Sequence, residues 1–319
     1  MPILSAAANL LTPVSGFTQT FTNVATFAYT GANQTFVVPF GVRKIRARCW
    51  GAGGGSGAAN GTPAGGGAGG YSYADINVTP GQTLLIVSGQ GGPALSGGPY
   101  NTAIYGHAAT PTGRPGGAGA SCGNGGGLSG IFLNNTFTQA NALLVSGAGG
   151  GGSSYFNSSA NYSRGGGGGG ANLNGEAGDG QPATFSAYGR GGTTSAGGQN
   201  GAVFFKSANG NGSNNNAING GALYGGHASD FSSWTEGGGG GSGYWGGGPA
   251  NHDSEGGNWG CGGGGSGYAN LTYCTNVVGA SAAKNVISAT ATADPYYASG
   301  IGTGNATAAG GNGRVVLVY

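Results

Sequence analysis

Apolar and polar residues begin to alternate at Thr26 and do so in short bursts along the chain. Phe27 and Tyr29 alternate with small or polar residues, and Phe36, Val38 and Phe40 repeat the pattern. A period of two predicts half-buried strands. In Val42–Trp50, Ile45, Ala47 and Cys49 share one face and Lys44, Arg46 and Arg48 the other. Tyr71–Val78 and Thr83–Ser88 read as a hairpin about Thr79-Pro80-Gly81-Gln82, where proline presets φ and glycine accepts the positive φ of a type II turn. Ala142–Ser146, Ala202–Lys206 and Val286–Ala293 are further candidate strands. Arg314–Tyr319 is continuously apolar after its first residue, as expected of a central strand covered on both faces. No segment carries the periodicity of an amphipathic helix. Residues 1–24 have no period and contain Pro13 and Gly16, so they read as an N-terminal arm, either a loose terminus or a docking segment. Residues 25–319 read as a single glycine-rich domain, because no linker divides two cores.

Glycine changes this picture. It supplies 80 of 319 residues, in runs such as Gly149–Gly152, Gly165–Gly170, Gly237–Gly241 and Gly262–Gly265. Such runs have no side chains to bury, so they are either disordered or held through their amides. Charged residues are only 6% and aromatics 10%, a balance that favours order. Collagen is excluded, since no Gly-X-Y frame exists. Ordering glycine costs roughly 0.5–1 kcal/mol per residue relative to alanine, so nearly every amide in the runs needs a partner. A left-handed extended helix with three residues per turn directs N–H and C=O outward and lets bare chains bond to neighbours on all sides. The fold class expected is mostly β: a small antiparallel framework carrying a packed bundle of extended polyglycine-II helices, with no significant α-helix.

Charge and chemistry narrow the function. The net charge of +2 gives no reason to expect nucleic acid, and no apolar run is long enough for a membrane span. The N-terminus lacks the basic start of a secretory signal, which leaves a chain mature as written or released by virion assembly or lysis. Eight carboxylates and three histidines are few for an enzyme. Their one cluster, His252-Asp253-Ser254-Glu255, reads as a polar loop tip rather than a metal or acid–base site. No cofactor and no metal are expected. Cys49, Cys122, Cys261 and Cys274 contain no C-x-x-C pair, so three disulfide connectivities and four buried thiols both stay open.

Three sets of residues are candidates for contact. Arg43, Lys44, Arg46 and Arg48 form a basic strand face, either solvated or turned to an anionic subunit or glycan. Tyr155, Tyr224, Tyr244, Trp245 and Trp259 sit beside glycine among small polar residues, as aromatics do on recognition surfaces; they either bind a ligand or shield the glycine bundle. Asn33, Asn60, Asn77, Asn134, Asn157, Asn161, Asn211, Asn270 and Asn305 are Asn-x-Ser/Thr acceptors, usable only on a eukaryotic route.

The order of motifs resembles the glycine-rich domain of bacteriophage tail proteins, of many microbial proteins and of the extracellular part of anaplastic-lymphoma-type receptor kinases. Phe36–Val42 leads to Trp50-Gly51-Ala52-Gly53-Gly54-Gly55, then Gly67-Ala68-Gly69-Gly70-Tyr71, Val78-Thr79-Pro80-Gly81-Gln82-Thr83-Leu84, Val87-Ser88-Gly89-Gln90-Gly91-Gly92 and the closing Gly310–Tyr319. The resemblance implies polyglycine-II packing and, in tail-fibre adhesins, loops that bind a host surface. Long inter-glycine loops such as Ser153–Tyr162 and Asn209–Tyr224 depart from the shortest phage versions. The expectation is a non-enzymatic virus or phage surface protein, in a tail fibre, spike, filament or capsid decoration. Its partners would be host glycans or proteins and neighbouring subunits, with residues 1–24 as a docking element and a homo-oligomer as the expected state. The alternative is an extracellular, glycosylated, filament-forming protein of a cell surface.

Overall fold

The computed structural model describes residues 19–57, 64–94, 122–153, 164–179, 188–201, 218–227, 237–250, 252–253, 258–284 and 286–319. Within them the chain forms β1 (Val24–Ala28), β2 (Gln34–Val37), β3 (Lys44–Trp50), β4 (Tyr71–Asn77), β5 (Thr83–Val87) and β6 (Ser129–Leu133). These are followed by β7 (Ala142–Ser146), β8 (His252–Asp253), β9 (Asn258–Trp259), β10 (Tyr268–Ala269), β11 (Cys274–Ala280) and β12 (Arg314–Val318). The protein is mostly β; the one helical element among the described residues is a single 3₁₀ turn, Gln139–Asn141.

Two antiparallel five-stranded sheets have the orders β1-β12-β3-β4-β11 and β10-β7-β6-β5-β2. Alternation decides which side chains meet between them. Ile45, Ala47 and Cys49 of β3, Ala74 and Ile76 of β4 and Val315 and Leu317 of β12 pack with Leu84, Ile86, Ile131 and Leu144 of the second sheet. Each fully buried aliphatic side chain there contributes roughly 1.5–3 kcal/mol. The outer faces are covered too. Trp50, Tyr71, Val316 and Val318 pack under Tyr296, Tyr297 and Ile301 on the first sheet, and Leu85, Val87, Phe132 and Val145 pack with Leu223 on the second. The terminal strand β12 is central and buried on both faces, as its apolar run predicts.

Several expectations are corrected. Tyr71–Val78 and Thr83–Ser88 do form strands, but not a hairpin. β4 pairs with β3 and β11, whereas β5 pairs with β2 and β6. The turn itself is as read, with Gly81 at φ +81° and the Gln82 amide donating to Thr79 O at 3.0 Å, yet it carries the chain from one sheet to the other. Val286–Ala293 is no strand: Ala291 is left-handed at φ +52° and the segment folds across the outer face of the first sheet. Phe40 lies beyond β2 in a turn and is fully exposed. The Ala202–Lys206 strand lies outside the described residues.

Antiparallel pairing sorts the connections to two ends. β3, β5 and β7 run out into segments 51–57, 88–94 and 147–153, and segments 64–70, 122–128 and 260–267 run into β4, β6 and β10. All leave or enter at one end of the sandwich. The turns 38–43, 78–82, 134–141 and 270–273 close the other end, where Tyr319 also lies.

The glycine runs are ordered through their amides. Every residue of Gly165–Gly170 and Gly237–Gly241 is buried. Segment 51–57 donates to three neighbours in strict rotation. Gly51, Gly54 and Gly57 bond to Gly70, Gly67 and Ala64; Ala52 and Gly55 to Gly127 and Asn124; Gly53 and Ser56 to Gly311 and Ala308. The same step of three pairs Gly67 and Gly70 with Gly150 and Gly147, and Gly166 and Gly169 with Gly262 and Gly265. A Cβ at Gly54 would stand 2.1 Å from the Gly150 carbonyl oxygen.

Residues 19–24 are not a loose arm. The Gln19 side chain donates to Lys44 O and accepts from the Arg43 and Lys44 amides, the Thr22 and Asn23 amides bond to Tyr319 O, and the Phe21 ring lies 4.0 Å from the Arg46 guanidinium carbon.

Candidate ligand-binding face

Two tight turns beside the second sheet gather three of the aromatics singled out in the sequence. Leu223 is left-handed at φ +66° and buries its side chain against Phe132 and Val145. That conformation is strained for a branched side chain, and it fixes the residue that follows. Tyr224 lies over Gly221: a Cβ there would stand 2.2 Å from the ring, so a larger residue would displace the ring from this position. Ala222 bridges Trp245, and the Leu223 amide donates to Tyr244 O. Ser266 holds Trp245 at both backbone groups, its hydroxyl accepting from the Trp245 amide at 3.1 Å and its own amide donating to Trp245 O at 2.8 Å.

Tyr244 stacks on Tyr268 at 3.9 Å and 9°, and Trp245 stands edge-on to Tyr244 at 6.5 Å and 89°. The Gln139 amide group donates to Tyr244 O. All four rings are half-buried. Burial, then the proximity of Tyr244 and a hydrogen bond to it, raise the Tyr268 phenol above its ordinary value, so it stays a neutral donor and acceptor. The result is a fixed row of aromatic edges and faces, flanked by amide and hydroxyl groups. Such a row suits stacking against an uncharged, hydroxyl-rich ligand.

The remaining candidates are placed as follows. Tyr155 lies outside the described residues. Trp259 is on β9, opposite His252 in a two-residue ladder, while Ser254 and Glu255 are outside the described residues. The basic face is largely answered from within the chain. Arg46 meets Asp75 at 3.4 Å, and Arg48 meets Asp294 at 2.9 Å with the rings of Tyr73 and Tyr296 on either side. Arg43 is exposed and Lys44 half-buried. Of the sequons, Asn77 and Asn134 are exposed, Asn33, Asn270 and Asn305 are half-buried, and Asn60, Asn157, Asn161 and Asn211 lie outside the described residues. No group of three or more His, Cys, Asp or Glu able to hold a metal ion occurs among the described residues, and no described helix is long and apolar enough to cross a membrane.

No protein-family model matches the chain, and no curated protein matches it. Tyr268 also flanks glycine in the sequence and counts among the candidate aromatics, whereas the sequence reading missed Ser266, Gln139 and Gly221 as parts of this face. Nothing in their local sequence separates them from dozens of similar Gly and Ser positions; only the fold brings them together.

All four cysteines are buried, with Cys49, Cys261 and Cys274 as free thiols. Burial raises the Cys49 thiol and pushes Cys261 and Cys274 up to about 12. Because the thiolate is the reactive form, these three residues should resist iodoacetamide in the folded protein and react after denaturation. Peptide mass mapping reads the outcome, and rapid native labelling of any of them would contradict the packing.

Proposed function

We propose that this chain is a non-enzymatic structural and adhesion protein of a virus or phage surface, whose rigid glycine-rich part presents an aromatic face to host-surface glycans. The observation that carries the reading is the rotation of amide partners every third residue along the glycine segments. Three residues per turn with outward-pointing amides is the geometry of a polyglycine-II helix, and we take the segments as a bundle of such helices. A bundle of this kind forms a stiff body without side chains to spare, so recognition falls to the residues at its turns. Tyr224 and Trp245 occupy such turns and are held from below by Leu223, Gly221 and Ser266. The resemblance of the motif order to that of phage tail proteins supports the virion setting, and the scarcity of acids and bases in the sequence supports a binding role over catalysis.

Glycan-array binding by the intact protein tests this directly. Trp245→Ala and Tyr224→Ala should each weaken binding at least about tenfold, the loss expected for an aromatic anchor, with the fold preserved by circular dichroism. No binding by the intact chain to any glycan would leave a purely structural subunit. The exposed acceptors Asn77 and Asn134 favour a second reading, an extracellular glycosylated filament protein. Hexose mass on their peptides in native material would select it.

A further inference from the structure

Each five-stranded sheet has two edges, and the one left open is β1. β11 is bent where its register shifts between Thr275 and Val278 and Asn276 turns left-handed at φ +52°. β10 has two residues and β2 has four. Bulges and shortness are ways in which proteins blunt an edge, as are charge and proline. β1 pairs with β12 in unbroken register from Val24↔Val318 to Ala28↔Arg314, and Asn23 extends the pairing to Tyr319. It contains no proline, and no charged residue occurs before Arg43. The ladder decides which backbone groups face outward. Asn23 and Tyr319 exchange both bonds, Asn23 N to Tyr319 O at 2.9 Å and Tyr319 N to Asn23 O at 3.0 Å. Bonding to β12 therefore falls on Asn23, Ala25 and Phe27, and the N–H and C=O groups of Val24, Thr26 and Ala28 point away from the sheet. The Gln34 side chain donates to Ala28 O at 2.8 Å and closes that position. Val24, at 49%, and Thr26 are exposed. Among the described residues nothing bonds to their outward groups.

We infer that β1 is a self-association edge, which pairs antiparallel with β1 of a second copy about a two-fold axis through Ala25. On that axis Val24 of each copy lies opposite Thr26 of the other, and each such pair can exchange N–H···O bonds in both directions. Both open positions are then filled, while Ala28 O keeps its bond from Gln34. An axis through Thr26 would instead set Val24 against Ala28, whose carbonyl is already engaged. The occupant is a second copy because the edge is self-complementary. It calls for an uncharged strand with open positions two residues apart, and β1 is itself such a strand. No like charges on the two strands meet across the axis. The two-fold closes the assembly at two copies and joins two five-stranded sheets into one continuous sheet. This inference concerns assembly and stands apart from glycan binding.

The test uses the full chain. Sedimentation velocity over a concentration series should show monomer and dimer in equilibrium. Thr26→Pro removes an outward N–H without touching the β12 ladder, and Thr26→Lys sets a charge on the exposed edge. Each should weaken dimerisation about tenfold or more, since the proline alone deletes one bond from each reciprocal pair, with circular dichroism unchanged. Amide-resolved deuterium exchange on the unaltered chain reads the same contact without any substitution. The Val24 and Thr26 amides should exchange slowly in concentrated protein and quickly after dilution. A chain monomeric at every concentration, an oligomer indifferent to both substitutions, or exchange at Val24 and Thr26 that ignores concentration would each overturn the proposal. Glycan binding by such a monomer would sink this inference and leave the adhesion reading standing.

Discussion

Asp294→Ala should lower stability by about 3–5 kcal/mol, the cost of stranding a buried charge. The carboxylate accepts from Arg48 Nε at 2.9 Å, from the Tyr71 hydroxyl at 2.8 Å and from the Tyr296 amide at 2.9 Å. Arg48 and Asp294 are 13% and 12% exposed, too little for water to take over. Arg48 Nη1 already lacks a partner, and removing Asp294 takes away the partner of Nε as well. Denaturant unfolding measures the loss. Deuterium uptake across residues 286–302 locates it, since this turn is what the carboxylate pins to the sheet. Asp294→Asn keeps the shape and an acceptor and should cost less, about 1–3 kcal/mol. Equal losses for both variants would show that packing, not charge, holds the segment. Alkali should act at the same place. Burial, then the hydrogen bond and charge of Asp294, raise the Tyr71 phenol above its unfolded value. Its contribution is therefore complete below about pH 10 and is lost as pH climbs toward the raised folded value.

Gly150→Ala is the second large effect expected, near or above about 3 kcal/mol, the upper end of overpacking penalties. The added methyl would meet Gly262 O at 2.1 Å and Gly263 O at 2.8 Å, both rigid backbone. The Gly150 amide donates to Gly166 O and its carbonyl accepts from the Gly67 amide, so any shift also stretches bonds to two other segments. Gly81→Ala is the informative contrast. It has open space around it and a φ of +81°, so only left-handed strain remains, about 1–2 kcal/mol. Chemical denaturation of the two variants separates crowding from conformational strain. A smaller loss at Gly150 than at Gly81 would mean that the glycine segments are loosely held.

Where a strand alternates cleanly or is wholly apolar, the sequence reveals it. β3, β7 and β12 are read directly because Ile45, Ala47 and Cys49, the run Ala142–Ser146 and the run after Arg314 each satisfy one burial pattern. β6 escaped because Gly130 sits within five residues and imitates a loop. β11 escaped because its register shifts between Thr275 and Val278 and Asn276 is left-handed, which breaks the period. The turn at Pro80-Gly81 is legible as a turn, but local chemistry does not say whether the strands it joins share a sheet. The ligand face is harder still. Tyr244, Trp245 and Tyr268 stand out by type, whereas Ser266 and Gln139 acquire their roles only from segments far apart in the chain.

The rotation of amide partners also sets a reading frame on insertions and deletions. Removing one residue from the middle of 51–57 would put each later amide out of step with its own neighbour and toward a carbonyl already engaged elsewhere. Removing or adding three would shorten or lengthen the segment by one repeat of partners and keep each donor matched to its own neighbour. Length changes inside these segments are therefore constrained in triplets by hydrogen bonding alone, while the stretches that join them escape the rule.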